Sequence, residues 1–488
     1  MSEIFVTSNS REVIDGAIFI AISGFKIDGH NYIKEALQNG ASYIVAEKYP
    51  EELNFKEYQL ITTYEDDAPT IASFQSISID GKKVIWDVVS SSRLAYSMWA
   101  KEAFPNQPAH LVAITGTNGK TSTAWFYQQI LSLLCHKSAM IGTIGVINNA
   151  GYSHTESGLT TPDAIYLHKT LDAISSIGVG YCSMEASSIA LEQHRMSGVE
   201  LEAAAFTNFT QDHLDYHKSM EAYFIAKTIL FSDVLKAGKT AVLNESIPEF
   251  QKLKSISLKK SHKIITYGLL ESDVFITEDM DKRVKIKIYD AEYRVDYKIK
   301  GEFQKENLMA SISLLLASGI SREDIISVIP KLSAPIGRIE LVGTYNGADI
   351  FVDYAHTPDA LKRALKAVGQ GMEGDVYLVF GCGGDRDKQK RPIMAAIAAE
   401  YADYIVVTDD NPRFEDPSAI RCELMLSCDA ISIGNRSDAI KYAISKLKEG
   451  DVLLIAGKGH ENYQIIGDVK HHFSDQEEVL KYIGGNHE

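Results

Sequence analysis

The run Gly116-Thr-Asn-Gly-Lys-Thr121 combines two glycines, a lysine and a hydroxyl in a spacing suited to holding phosphate. Glycines let backbone N–H groups converge on anionic oxygens, Lys120 supplies a point charge, and the Thr121 hydroxyl can ligate Mg2+. The loop lacks the early glycine of the longer Walker form. Two further ligand types stand at the ends of strand-like runs. Glu185 closes Gly178-Val-Gly-Tyr-Cys-Ser-Met184, and His213 follows Ala203–Phe206, so a hard oxygen and an imidazole are available near the loop. Lys227, in Ala222-Tyr-Phe-Ile-Ala-Lys227, reads by itself as a lysine on a helix surface.

These side chains need a scaffold. Leu111–Thr115 reads as a buried strand and Ser122–Leu134 as a helix, the context a phosphate cradle requires. Similar β-branched runs recur at Ile18–Ile22, Tyr43–Ala46, Ile350–Tyr354, Val376–Phe380, Ile405–Thr408 and Val452–Ala456, alternating with helical stretches. That alternation predicts an α/β protein with mostly parallel sheets. Between about Lys263 and Glu302 a period of two takes over, which predicts antiparallel strands. The length of 488 residues fits three domains, with joints near the proline-bearing segments Ala103–His110 and Lys331–Gly337. The expected limits are 1–103, 104–332 and 333–488. Four loops, Ala355–Pro358, Gly381–Gly384, Asp409–Arg413 and Gly457–Glu461, directly follow predicted strands of the last domain, where open α/β sheets bind ligands.

Composition narrows the function. With 45% hydrophobic and 23% charged residues the chain is globular, and its net charge of −16 argues against coating nucleic acid or anionic lipid. The five cysteines include no Cys-x-x-Cys pair, so neither a disulfide framework nor a structural zinc site is expected. The N-terminus lacks a signal-peptide pattern and no apolar run is long enough for a membrane span. A cytoplasmic protein without stable membrane insertion is the expectation.

The loop Ala113–Thr121 resembles that of the Mur ligases and the related folylpolyglutamate synthetases, which join an amino acid to a carboxylate through an acyl phosphate. Met184-Glu-Ala-Ser-Ser188, Gln193-His-Arg195, Phe206–His217, Val352–Pro358, Gly381–Lys388 and Asp410-Asn-Pro-Arg413 resemble, in order, the Mur ligase signatures, and the likeness runs from about Ser8 to Gln464. Two positions depart from it: Ile189 stands where a histidine is usual, and Gln211 where an arginine is frequent.

The resemblance implies three α/β domains: a UDP-binding one, a central P-loop ATPase-like one and a Rossmann-like one. Gly116, Thr117, Asn118, Gly119, Lys120 and Thr121 would bind ATP, together with Asn307, Arg338, Asp353 and His356. Thr121 and Glu185 would hold one Mg2+, His213 would help hold a second, and Lys227 would carry a carbamate whose anionic oxygens face metal. Lys120, Lys227 and His213 would then be the catalytic residues. Ser10, Gly24 and Lys26 would receive the uracil and diphosphate, and Thr160, Thr161, Ser187, Gln193 and Arg195 the muramoyl-peptide. Arg391, Asp410, Asn411, Arg413, Gly457 and Glu461 would form the amino-acid pocket.

Together these imply a monomeric, ATP- and Mg2+-dependent ligase of peptidoglycan precursor synthesis that adds meso-diaminopimelate to UDP-N-acetylmuramoyl-L-alanyl-D-glutamate. The alternatives are an L-lysine-adding relative, a folylpolyglutamate synthetase, against which the muramoyl-type motifs speak, and a catalytically silent nucleotide-binding scaffold. Retention of Lys120, Glu185, His213 and Lys227 together disfavours the scaffold.

Overall fold

The computed structural model describes residues 4–24, 27–48, 59–61, 70–79, 82–153, 158–268, 271–280 and 283–484. They fall into two compact units. The first comprises Met1–Ile276, Lys287–Glu292 and Ala310–Ile326, and the second Thr277–Ile286, Tyr293–Met309 and Ser327–Glu488. Among the described residues no helix is long and apolar enough to cross a membrane.

The first unit opens with a sheet of β1 (Val6–Thr7), β2 (Ile18–Ile20), β3 (Tyr43–Ala46), β4 (Gln59–Ile61), β5 (Thr70–Ile79) and β6 (Lys82–Val89), in the order β1-β2-β3-β6-β5-β4. Strands β1, β2, β3 and β6 run parallel, and β5 and β4 join antiparallel. Side chains alternate between two cores. Phe19, Ile44 and Trp86 pack with α1 (Ile33–Gln38), whereas Ile20, Val45 and Val89 pack with α2 (Ser92–Ala103). Helix α2 begins where the Ser91 hydroxyl accepts the Leu94 N–H at 3.2 Å.

The central sheet of this unit carries the phosphate loop. Its chain order is β7 (His110–Thr115), α3 (Lys120–Leu133), β8 (Ser138–Gly142), β9 (Gly145–Asn148), α4 (Ala164–Ser176), β10 (Tyr181–Glu185), α5 (Ser188–Glu192), β11 (Ala203–Phe206), α6 (Leu214–His217), α7 (Met220–Ile229), β12 (Thr240–Asn244), α8 (Phe250–Lys259) and β13 (Lys263–Tyr267). In space the strands run β13-β12-β11-β7-β10-β8-β9. All are parallel except β9, which folds back on β8. Leu111 to Ile114 are fully buried because helices cover both faces, as a parallel sheet requires. The period-two segment forms β14 (Val274–Met280), β15 (Arg283–Ile288) and β16 (Ala291–Asp296) in the same sheet order; their residues are divided between the two units, as are those of α9 (Glu302–Ala317). Helix α10 (Arg322–Val328) follows.

The second unit is built from β17 (Glu340–Tyr345), β18 (Ala348–Asp353), α11 (Pro358–Gly369), β19 (Val376–Phe380), α12 (Lys390–Tyr401), β20 (Tyr404–Val407), α13 (Pro417–Met425), β21 (Ile431–Ser432), α14 (Arg436–Lys446), β22 (Val452–Ala456), β23 (Tyr463–Ile466), β24 (Val469–His472) and α15 (Asp475–Gly484). The main sheet order is β17-β18-β22-β19-β20-β21, parallel except for β17. Leu361, Met394 and Leu424 seal one face under α11, α12 and α13, and Ile440, Ile444 and Val479 seal the other under α14 and α15. Helix α11 starts with Thr357 as cap and Pro358 at its first position, so the Ala355–Pro358 loop ends abruptly.

Candidate active site

Gly116 and Gly119 both take positive φ, 139° and 86°, and at Gly116 a Cβ would come 1.9 Å from the Thr207 hydroxyl. Only glycine fits there, which presses the loop between β7 and α3 against the end of β11. Lys120 curls over the loop, donating to the Gly116 and Thr117 carbonyls at 2.9 and 2.8 Å. Gly119 caps α3 without a side chain, so the first-turn N–H groups face the loop's concavity. Asn208 fixes the loop from β11: its side-chain oxygen accepts the Asn118 N–H and its carbonyl accepts the Thr117 N–H, both at 2.8 Å.

Glu185, 1% exposed at the end of β10, joins several elements. Its Oε1 accepts the Thr121 hydroxyl at 2.9 Å and the Thr143 N–H at 2.8 Å, and its Oε2 accepts the Thr143 hydroxyl at 3.1 Å. Gly142 leaves the room: a Cβ there would lie 2.2 Å from Oε1. A hydroxyl and a carboxylate this close form an oxygen-rich pair of the kind Mg2+ prefers.

Lys227 overturns the surface-lysine reading. Helix α7 turns it inward, where it is 1% exposed, and Nζ donates to the Gly116 carbonyl at 2.8 Å from above the Tyr223 ring. Burial holds its ammonium well below the usual lysine range; nearby Lys120 pushes the same way and Asp212 opposes. That shift favours the neutral amine, the form that can add CO2. His213 has φ +52° and a half-exposed ring, with Nε2 3.6 Å from Asp212 and an edge toward Tyr223.

The muramoyl-motif residues adjoin this centre. The Thr160 hydroxyl accepts from Thr143 at 3.1 Å, and Thr161 donates to the Glu185 backbone carbonyl at 2.8 Å while accepting the Ser187 N–H at 3.0 Å. Arg195 donates to the Thr161 carbonyl and, through Nε and Nη2, to Gln193. Gln193 and Arg195 line a cleft of about 360 Å³ that also takes in Ser8, Arg93, Tyr96 and Asp163. Burial lowers the Arg195 pKa, against the pull of Asp163. Ser10 and Gly24 have local roles: the Ser10 hydroxyl donates to Glu35 at 2.7 Å, and the Gly24 N–H donates to the Ile27 carbonyl at 3.0 Å. Lys26 lies outside the described residues.

In the second unit, Arg338 lies over the Tyr354 ring at 4.7 Å, and His356 bonds the Tyr354 carbonyl at 2.8 Å. Asn307 is buried and donates to Gln304. Asp353 accepts the Ile339 and Ala355 N–H groups at 2.8 Å; burial nonetheless pushes its pKa up to about 6, against Arg338 and those two donors. At the carboxyl ends of β20 and β22, Asn411 donates to Glu461 at 3.0 Å, and Gly457 has φ +119° where a Cβ would meet Asp410 at 2.7 Å. Arg413 donates to the Gly384 carbonyl at 2.8 Å and approaches no carboxylate among the described residues.

Arg391 is the most deeply buried of the arginines expected in the pocket. It is bracketed by Glu423 at 2.8 Å and Glu415 at 3.0 Å, and its Nη2 lies 3.4 Å from the Gly383 carbonyl. On the same loop Arg386 is exposed. A side chain at Gly383 would come 3.0 Å from the Arg413 guanidinium and 3.9 Å from Arg386, so that glycine leaves room for both.

Models of the Mur ligase middle domain, of its glutamate ligase domain and of the Mur ligase family catalytic domain match residues 114–315, 337–459 and 4–83. The chain belongs to the Mur ligase family. Curated relatives include the UDP-N-acetylmuramoyl-L-alanyl-D-glutamate--2,6-diaminopimelate ligases of Rhizobium meliloti, 40% identical over 98% of this chain and 94% of that protein, and of Geobacillus kaustophilus, 38% identical over 96% and 92%. A solved structure of a UDP-N-acetylmuramoyl-L-alanyl-D-glutamate--2,6-diaminopimelate ligase superposes with a TM-score of 0.69 at 31% identity, covering 99% of this chain and 95% of that one. The Thermotoga maritima MurF ligase in complex with ADP shares the fold, with a TM-score of 0.60 at 19% identity over 99% and 97% of the two chains.

Sequence reasoning on this Mur ligase missed Thr143, which braces Glu185, and Tyr223, which floors Lys227. Asn208 falls within the Phe206–His217 signature but carried no expected role. Thr143 had a signal, a hydroxyl residue just past a strand-ending glycine; Tyr223 had none beyond its place one turn before the lysine.

Proposed function

We propose that this Mur ligase uses ATP to add meso-diaminopimelate to the D-glutamate γ-carboxylate of UDP-N-acetylmuramoyl-L-alanyl-D-glutamate. The observation that carries the reading is the double use of Glu185. Its carboxylate accepts from Thr121 of the phosphate loop, and its backbone carbonyl accepts from Thr161 of the muramoyl motif. One residue therefore ties the phosphate and carboxylate subsites together, and the names of the relatives supply the same substrate pair.

A carboxylate oxygen of the substrate attacks the γ-phosphorus of ATP, forming an acyl phosphate and releasing ADP. The amine of the incoming amino acid then adds to the acyl carbon, and the tetrahedral intermediate expels phosphate. Lys120 and the loop N–H groups hold the transferring phosphoryl group and offset the repulsion between two anions. Thr121 and Glu185 suit Mg2+, with a Lys227 carbamate and His213 beside them; when bound, the metal screens the phosphate charge. Arg195 and Gln193 orient the peptide end of the substrate in their cleft. In the second unit, Arg391, Asp410, Asn411, Arg413, Gly457 and Glu461 form the amino-acid pocket: Arg413 receives the far carboxylate, with exposed Arg386 on the neighbouring loop, Glu461 accepts from the adjacent ammonium, and Asn411 holds Glu461 in place. Arg338, His356, Asp353 and Asn307 serve the nucleotide, and Ser10, Gly24 and Lys26 the uridine end.

The domain limits near residues 103 and 332, a monomeric state and a cytoplasmic location belong to the same reading; five free cysteines support a reducing compartment. The test is phosphate release and product mass with ATP and the UDP-muramoyl-dipeptide, measured with diaminopimelate, with lysine and with neither. Release that depends on diaminopimelate is expected, and equal turnover of lysine refutes the substrate assignment. Lys120→Ala should abolish acyl phosphate formation while leaving binding of the UDP substrate intact.

A further inference from the structure

Lys458 sits between Gly457 and Gly459 at the end of β22 and is fully buried. A buried ammonium is costly unless its donors are matched, and this one is matched three ways. Its Nζ donates to the Tyr463 carbonyl at 2.7 Å and to Asn411 Oδ1 at 3.1 Å, and lies 3.5 Å from Glu461 Oε2. Asn411 Oδ1 also accepts the Ile465 N–H at 2.9 Å. Two donors on one oxygen fix the orientation of the amide, so Asn411 Nδ2 must point at Glu461 Oε2, 3.0 Å away. Glu461 Oε2 is thereby held from two sides, while Oε1 has no hydrogen bond among the described residues.

We infer that Lys458 is a positioning residue of the amino-acid pocket: it sets the Asn411 amide, pins one oxygen of Glu461 and turns the other toward the ammonium of the bound amino acid. The inference rests on the reading of this pocket given above and adds a residue that never touches the ligand. Lys458 also favours the charged form of Glu461, whose carboxyl burial raises overall. Burial and the neighbouring Asp410 both push the Glu461 carboxyl up, and Lys458 and the Asn411 amide pull it down. Buried Arg436 adds positive charge near Glu461, and the Tyr354 phenol faces the same group. Without Lys458 the balance shifts toward a protonated Glu461, which cannot attract an ammonium.

The test compares Lys458→Met and Lys458→Gln with the wild type, measuring KM and kcat for diaminopimelate from pH 6.5 to 8.5 at saturating ATP and UDP-muramoyl-dipeptide. Lys458→Met should raise the diaminopimelate KM about tenfold or more with a smaller change in kcat, leaving the other two KM values within about twofold. That KM should climb further as pH falls, because a carboxyl with a raised pKa protonates first. Lys458→Gln retains a donor for Asn411, so it should recover part of the loss at pH 8.5 and little at pH 6.5. A folded variant with unchanged diaminopimelate KM at every pH overturns the role of Lys458, as does a uniform loss with no pH dependence. If neither variant folds, Lys458 is a folding residue and the inference also fails. A wild type without diaminopimelate-dependent phosphate release would instead overturn the ligase reading itself.

Discussion

Replacing Arg413 by Ala separates the chemistry of the amino-acid pocket from its architecture. The guanidinium is half-buried and held by the Gly384 carbonyl at 2.8 Å and the Asn411 carbonyl at 3.4 Å. The acids that could have claimed it are engaged elsewhere, Glu415 with Arg391 and Lys388, and Asp416 with the start of α13. Arg413 has φ +53°, and Ala carries the same left-handed cost, so the substitution adds no backbone strain of its own. Its carbonyl and N–H remain paired with Gly467 and Ile465. On the proposed reading, what is lost is a charge-assisted contact to the far carboxylate of diaminopimelate. Hydrogen bonds to charged groups contribute about 1.5–3 kcal/mol, and partial exposure favours the lower half, giving about a 10- to 50-fold fall in kcat/KM. Lysine has no carboxylate there, so its kcat/KM should change by less than about threefold. Phosphate release measured with each amino acid yields the ratio directly. Equal losses for both would mean that Arg413 only shapes its loop, and an unchanged preference would remove it from recognition.

Three other outcomes are expected. Lys227→Ala should lose at least about a hundredfold in kcat and regain part of it with added acetate or formate, which restore anionic oxygens; full activity without additive would contradict a carbamate. Thr143→Val removes the hydroxyl donor to Glu185 Oε2, a bond of about 1 kcal/mol, and should raise the Mg2+ concentration for half-maximal rate about three- to tenfold while sparing the UDP-substrate KM. An unmoved Mg2+ titration would detach Thr143 from the metal. His168, a buried residue of α4 whose pKa burial lowers to about 4, is mostly unprotonated in the folded state between that value and 6.5, whereas the unfolded chain binds a proton there. Stability should therefore fall as pH drops below 6.5, by up to about 3 kcal/mol from this group, and thermal melts of His168→Gln should show a shallower slope than the wild type.

The phosphate loop was legible because its parts are consecutive: strand, glycines, Lys120, Thr121 and helix all lie within 25 residues of sequence. The four loops of the second unit were legible for a related reason, since each follows a β-branched run directly. Lys227 was not, because its burial depends on α7 packing beside a loop that precedes it by over a hundred residues. The ion pairs of Arg391 were hidden for the same reason. An arginine near a glycine loop looks like a ligand contact, and nothing local reveals that Glu415 and Glu423 close on it from other segments. Burial and long-range pairing sort side chains of one type into different tasks, and neither is written in local spacing.

The contact between Gly142 and Glu185 bears on genetics as much as on chemistry. Gly142 touches no substrate in the proposed mechanism, yet any side chain there must displace the carboxylate that receives Thr121. In a growth-based mutational survey the position should score with Lys120. The two kinds of failure differ in how they are relieved: an alanine at 142 asks only for space, which shortening Glu185 to aspartate would supply, whereas no neighbour can replace the charge of Lys120. Gly142 and Glu185 should thus behave as an epistatic pair, each setting which residues the other can accept as the sequence drifts.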